Sequence, residues 1–239
     1  MTKLLIKTTV FTLALSAITL VSKAQLGYDY AQYDIGFGGS LNQVYGDAEI
    51  VKTKPAAHVN FTYNQTPFVN YVVEIQAGTL EGGDAYKTLS GRFFKNNFTA
   101  LVFRGQLQAG EIIDYSQGGL MNVLKNFYVS TGLGYILNDI KNDPQHYNNV
   151  SNTDPQFTTP GLTKSNELYI PARLGYEFKL FNQYGQPSFK VDLGAQYNMD
   201  FTDNMDGFTA GKSKDKMIQY SITFKFALGD VTSYRKQIN

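Results

Sequence analysis

The chain has 239 residues, of which 43% are hydrophobic, 17% charged and 14% aromatic, with no cysteine and no tryptophan. A soluble domain usually carries about 25% charge, so this chain is poor in charge and rich in aromatics, which excludes a disordered tail, a coiled coil and a disulfide scaffold. Its 21 basic and 20 acidic residues leave a net charge of +1, which gives no support for a nucleic-acid partner.

Lys3 and Lys7 precede an uncharged run over 8–21, which ends at Ser22-Lys23-Ala24. Basic start, apolar run and small residues at the end predict a signal peptide over 1–24, cleaved after Ala24, and export from the cytoplasm. A membrane anchor is the alternative, but the run would rise only about 21 Å as a helix, short of a hydrocarbon core of roughly 30 Å. With no cysteine there is nothing to lipidate. The mature domain is expected over 25–239.

No later segment is a long apolar run. Alternation with period two recurs instead. It predicts strands over 33–45, 56–64, 71–80, 98–109, 127–138, 167–179, 188–199 and 217–228. Each is about the 9–11 residues that a tilted transmembrane strand needs. One face of each is apolar, as in Phe189, Val191, Leu193, Ala195 and Tyr197. The other is polar or small and carries Asp34, Glu74, Arg104, Arg173, Glu177, Lys190, Asp192 and Lys225, with many glycines. Val72, Val102, Tyr128 and Ile136 break the alternation on that second face.

Two architectures make this pattern. A soluble barrel or sandwich turns the apolar face inward, around a core or an apolar ligand, and a membrane barrel turns it outward. The connections favour the second. Those at 46–55, 81–97, 139–166 and 200–216 are long, whereas 65–70 and 180–187 are short, the alternation of outer loops and periplasmic turns. The connection at 110–126 is the exception, and its GGLMNVLKN stretch is expected to form a helical turn at the membrane edge. Outward aromatics at one end of the strands, Tyr33, Tyr63, Tyr71, Phe127, Phe178, Phe189 and Phe226, read as a periplasmic girdle. The fold expected is all-β: an eight-stranded antiparallel up-and-down transmembrane barrel.

The stretches HVNFTYN, RFFKNNFTALVFRGQLQAGE, NFYVSTGLGYI, IPARLGYEFKLFN and FKVDLGAQYN carry a resemblance to the eight-stranded outer-membrane β-barrel family, the OmpA-type transmembrane barrel, in its standalone porin-like versions. The resemblance covers nearly all of the mature chain and is compositional rather than chemical. It implies a Gram-negative outer-membrane location, with membrane lipid and the barrel-insertion machinery as partners. The sequence departs from the family where the last strand is followed by a tail, DVTSYRKQIN, instead of ending on an aromatic, and no peptidoglycan-binding domain follows.

Chemistry is sparse. Without cysteine there is no thiol catalysis or thiolate metal site. His58 falls on the lumen-facing parity, and His146 lies in the long third loop near Ser151 and Asp154, without a rigid framework. An enzyme or small-molecule binder using these residues is the second reading. Asp200, Asp203 and Asp206 lack calcium-loop spacing. No catalytic residue, metal or cofactor is expected, and the sequence names no loop partner. The lumen charges are balanced, four acidic and four basic, which suggests internal ion pairs closing a narrow barrel rather than an ion-selective pore. Reflection about the hairpins sets Glu74 close to opposite Arg104 and Glu177 close to opposite Lys190, with Arg173 and Asp192 one step away.

Overall fold

The computed structural model describes residues 27–84, 87, 88, 91–116, 119–141, 161–209 and 214–235. The signal segment over 1–24 and its cleavage site, His146, Ser151 and Asp154 lie outside them. Eight strands follow in order: β1 (Gly27–Tyr45), β2 (Thr53–Asn64), β3 (Val69–Gly83), β4 (Phe93–Gln108), β5 (Phe127–Ile140), β6 (Lys164–Phe181), β7 (Pro187–Asp200) and β8 (Lys216–Arg235). Each pairs antiparallel with its chain neighbours, and β8 closes on β1, so the sheet is a closed ring without an edge. A 3-10 turn (Ala109–Glu111) and the short α1 (Gly119–Leu124) occupy the longest connection at the end where the other turns are short. No helix of the described residues is long and apolar enough to cross a membrane.

The alternation becomes two surfaces because successive side chains of a strand leave opposite faces. Ile35, Phe37, Val59, Phe61, Val73, Ile75, Leu101, Phe103, Leu133, Leu168, Leu174, Leu193, Tyr220 and Ile222 are exposed on the outer wall. Asp34, Asn60, Glu74, Arg104, Ser130, Arg173, Glu177, Asp192 and Lys225 are buried inside. Water does not cover such an exterior favourably; hydrocarbon does. The soluble barrel built around an apolar ligand is therefore ruled out, because its apolar face would have to point the other way.

The tight turns have local causes. At the first, Thr66 Oγ1 accepts from the amides of Phe68 and Val69 at 3.1 and 2.9 Å. At the third, Asn182 Oδ1 accepts from the amides of Tyr184 and Gln186, both at 3.0 Å, next to Gly185 at φ +74°.

The strands run longer than the alternation suggests, and the largest correction is at the seam. Residues 229–235 do not form a tail. They continue β8 to Arg235, with Val231 to Arg235 opposite Ala31 to Gly27. The register shifts between Ala31 and Tyr33, where Gly229 and Asp230 together oppose one residue of β1. Gly229 sits at φ +81°, where a side chain would be strained, and a glycine there lets a bulged strand resume pairing. Gly-Asp, which reads as a strand end, is the bulge.

Candidate functional site

The barrel interior is filled in three levels. At the end of the short turns lies an ion network. Lys190 Nζ is 2.6 Å from Asp34 Oδ2, which also accepts from Asn64 at 2.8 Å. Lys225 bridges Glu177 Oε2 at 2.8 Å and Asp192 Oδ2 at 2.7 Å. Arg173 donates to Asp192 Oδ1 at 2.8 Å and to the Tyr128 hydroxyl at 2.7 Å, and that hydroxyl donates to the same Asp192 oxygen. A Cβ on Gly194 would overlap the Arg173 guanidinium, so the missing side chain is the room in which the cation lies. Lys179 completes the level. It donates to Gln108 and to the Pro67 carbonyl at 2.7 Å each and stands 4.8 Å from the centre of the Phe68 ring. Phe68 is fully buried and meets Tyr115 and Tyr234 edge-on, which closes this end of the barrel.

The middle level is polar. Arg104 Nη2 is 2.8 Å from Glu74 Oε2, and Nη1 donates to Gln196. Gln196 donates to Gln219, which donates on to Gln76 and Asn42. His58 Nε2 is 2.8 Å from Thr223 Oγ1.

The level toward the long loops is an ordinary apolar core. Val44, Leu80, Phe94, Phe98, Val102, Ile136, Tyr169 and Met217 turn inward there. Val102 and Ile136, which break the alternation, belong to this level. Gly134 leaves space for the Tyr169 ring. The connection after β7 folds into the mouth and seats Met205 and Phe208, both fully buried, on this core. Two buried carboxylates hold it there. Asp206 accepts from the amides of Asp47 and Phe208 at 2.7 and 2.9 Å, and Asp215 from those of Met205 and Asp206 at 2.7 and 3.2 Å. Asp206 Oδ2 and Asp215 Oδ1 both lie where a Cβ of Gly46 would be. Burial pushes both acids up, Asp206 to about 7 and Asp215 to about 9; Asp47 and Asp203 raise Asp206 further, and Asp206 and Asp203 raise Asp215.

All seven lumen candidates, Glu74, Arg104, Arg173, Glu177, Lys190, Asp192 and Lys225, are buried inside the barrel. Glu74 pairs with Arg104 and Arg173 with Asp192, but the register differs from the hairpin reflection. Arg104 stands opposite Val72 rather than Glu74, and its guanidinium reaches the carboxylate diagonally. Glu177 stands opposite Asp192, and Lys190 opposite Lys179. The Glu177–Lys190 pairing is therefore replaced by links to Lys225 and Asp34 across the lumen. Lys179 and Glu167, at the strand ends, are also buried inside and were not singled out from the sequence; Asp200, read from the sequence as a loop acid, ends β7 and is buried there too. The inward fold of the last loop was missed too. Its signal was Met205 and Phe208, two large apolar residues inside an acidic loop.

On the outer wall, Tyr33 lies 5.7 Å from Tyr63 between ring centres, and Tyr63 lies 6.3 Å from Tyr71. Phe127 and Phe178 flank Tyr176 at 4.8 and 4.6 Å, and Phe189 meets Phe226 at 5.1 Å. These aromatics sit at the turn end, in arcs interrupted at β4, where Leu107 is exposed. Among the described residues, no group of three or more His, Asp or Glu could hold a metal ion.

No family model matches the chain, and no curated protein matches it. Among solved structures it is similar to Ail, the attachment invasion locus protein of Yersinia pestis, at 8% identity and a TM-score of 0.43 over 82% of this chain and 99% of that one. It is similar to Neisserial surface protein A at 10% identity and a TM-score of 0.43, over 83% and 98% of the two chains. The outer membrane protein OprG from Pseudomonas aeruginosa aligns at 13% identity and a TM-score of 0.40, over 85% and 99%. The eight-stranded closed ring itself rests on this chain's own register.

Proposed function

We propose that this chain is a non-enzymatic outer-membrane barrel, exported with removal of residues 1–24 and inserted by the barrel-assembly machinery. Its own side chains close its lumen, and its long loops carry its interactions. The observation that supports this best is the inversion of ordinary burial: apolar residues ring the outside of all eight strands while the ion network fills the inside. In an eight-stranded barrel the interior is just wide enough for side chains, and here Lys225, Arg173 and their partners take that space. The enzyme reading gains nothing from His58, whose ring is bonded to Thr223 in the middle of the lumen.

Two measurements test the reading. Ile75 lies midway along β3, 58% exposed, between Val59 and Leu101 on the outer wall. Ile75→Arg is expected to cost about 2–4 kcal/mol in urea unfolding of the barrel in lipid vesicles, the range for a cation near the bilayer midplane. The exposed loop substitution Thr209→Arg should cost almost nothing. Equal costs would mean that lipid does not cover this wall. In a planar bilayer the protein should give silence or rare small openings. Large, steady conductance would overturn the closed lumen and move the function to diffusion.

A further inference from the structure

The connection from β4 to β5 repeats the inverted burial of the barrel wall. Several of its polar groups turn toward the closed end of the barrel. Glu111 accepts from Thr66 Oγ1 at 2.9 Å and from the Tyr234 hydroxyl at 3.2 Å. Asn122, Lys125 and Asn126 are buried, and the Lys125 ammonium stands 4.9 Å from the centre of the Tyr115 ring. Among the described charged residues of the connection, only Asp114 is exposed. Its apolar side chains turn the other way: Ile112 is 73% exposed, Leu120 69% and Met121 46%.

Apolar residues scattered singly on a surface need no explanation, but these continue the outer wall. Ile112 lines a groove of that wall together with Leu107, Phe127 and Tyr176. The Tyr176 hydroxyl donates to the Val123 carbonyl at 3.1 Å, so an aromatic of the turn-end girdle holds α1 at its own level. A tyrosine with its ring on the apolar wall and its hydroxyl on a polar partner marks the height of lipid headgroups. The girdle is interrupted at β4, and the connection that supplies these three side chains is the one that leaves β4.

We propose that Ile112, Leu120 and Met121 insert into the lipid leaflet at the turn end, so that the connection over 109–126 lies in the membrane interface as an anchor instead of standing in water. A segment with one apolar and one polar side buries the apolar side about 5–10 Å into the boundary between headgroups and acyl chains. The anchor rests on the membrane reading above, since it is that wall which the three side chains extend. The polar side meanwhile caps the barrel. Tyr115 meets Phe68 edge-on at 5.5 Å, and the absence of a side chain at Gly110 leaves room for the Phe68 ring. Lipid on the outside and Phe68 on the inside thus hold the same segment in place.

The test uses the full mature barrel in phosphatidylcholine vesicles. The chain has no cysteine, so Leu120→Cys and Met121→Cys each give a single nitroxide position on α1. Ile75→Cys marks the middle of the outer wall, and Gln183→Cys marks the exposed tip of the third turn. Collisions with oxygen, which concentrates in lipid, are compared with collisions with a water-soluble nickel complex present on both sides of the bilayer. Both labels on α1 are expected to favour oxygen, at a depth of about 5–10 Å, while the label on the third turn favours nickel. Labels on α1 as open to nickel as the third turn, with the label on the wall in lipid, would overturn the anchor and leave the membrane reading standing. A label on the wall that is itself open to nickel would strike the membrane reading and the anchor with it. A heat-dependent gel shift of each labelled variant checks that the barrel is folded.

Discussion

Replacing Lys225 with Met is expected to destabilise the barrel by about 3–5 kcal/mol, the range for breaking a buried ion pair from one side. Lys225 is 2% exposed and its ammonium lies between Glu177 and Asp192. Those two acids face each other across β6 and β7. Without the ammonium, two like charges are left adjacent in a place water cannot easily reach: Asp192 keeps Arg173 at 2.8 Å, but Glu177 keeps only the longer 3.8 Å contact with Lys179, whose ammonium also donates to Gln108 and the Pro67 carbonyl. Methionine keeps the volume, so the loss is electrostatic rather than a cavity. Urea unfolding in vesicles measures it. Adding Glu177→Gln to Lys225→Met should recover part of the cost, since the pair interacts directly and the effects of contacting residues do not add. Lys214→Met, at an exposed position, should change stability by no more than about 0.5 kcal/mol. A Lys225→Met cost equal to that of Lys214→Met would mean that the lumen admits water and that the network does not hold the barrel shut.

The second large effect is on the mouth and depends on pH. The seated loop holds Asp206 and Asp215 with their oxygens converging on Gly46. Desolvation is the main cause that pushes them up to about 7 and 9. Asp47 and Asp203 add to the acidic field on Asp206, and Arg92, which donates to the Asp47 carbonyl at 3.3 Å, is the cation alongside. The folded values lie above those of free aspartate, so protons bind the seated loop more tightly than the released one. The stabilisation is therefore present in full below about pH 4, where even a free aspartate is protonated, and is lost as pH rises through 7 to 9. Because the two acids interact, the loss belongs to the pair and not to either residue alone. The chain has no cysteine, so Thr209→Cys gives a single spin-label position on the loop. The label should be immobilised at pH 5 and mobile at pH 9.5. Asp215→Asn mimics the protonated acid while keeping an acceptor for the Met205 and Asp206 amides, and should hold the loop seated at the higher pH. A label equally mobile at both values would contradict the latch.

The strand pattern made the barrel and its inside and outside legible, because parity is a local property. Every second residue shares a face whatever the partner strand does. His58, Glu74, Arg173 and Lys225 could be assigned to the interior on that ground alone. The turn-end aromatics Tyr63 and Tyr71 could be placed at one level because the short turn between them leaves little freedom of register.

Partners were another matter. Reflection about a hairpin depends on loop length, and a shift of one residue in the centre moves a facing pair by two, which is how Arg104 comes to stand opposite Val72. Lys190 with Asp34 and Lys225 with Glu177 join strands that are far apart in the chain. Such pairs exist only once the ring closes and the stagger of all eight strands is set, since the height of one strand against another accumulates around the barrel. The seam was hidden for a similar reason. Gly229 looks like a terminator until β1 is beside it to receive the bulge. The seated loop depended on the cavity beneath it. Met205 and Phe208 are unremarkable in an acidic loop until Phe94, Val102, Ile136 and Tyr169 make an apolar floor at the mouth, and only that floor gives them somewhere to be buried. The sequence by itself determined the architecture and which residues face lipid; the closed ring decided which charges meet and which loop closes the mouth, because both depend on distances between segments that no local pattern encodes.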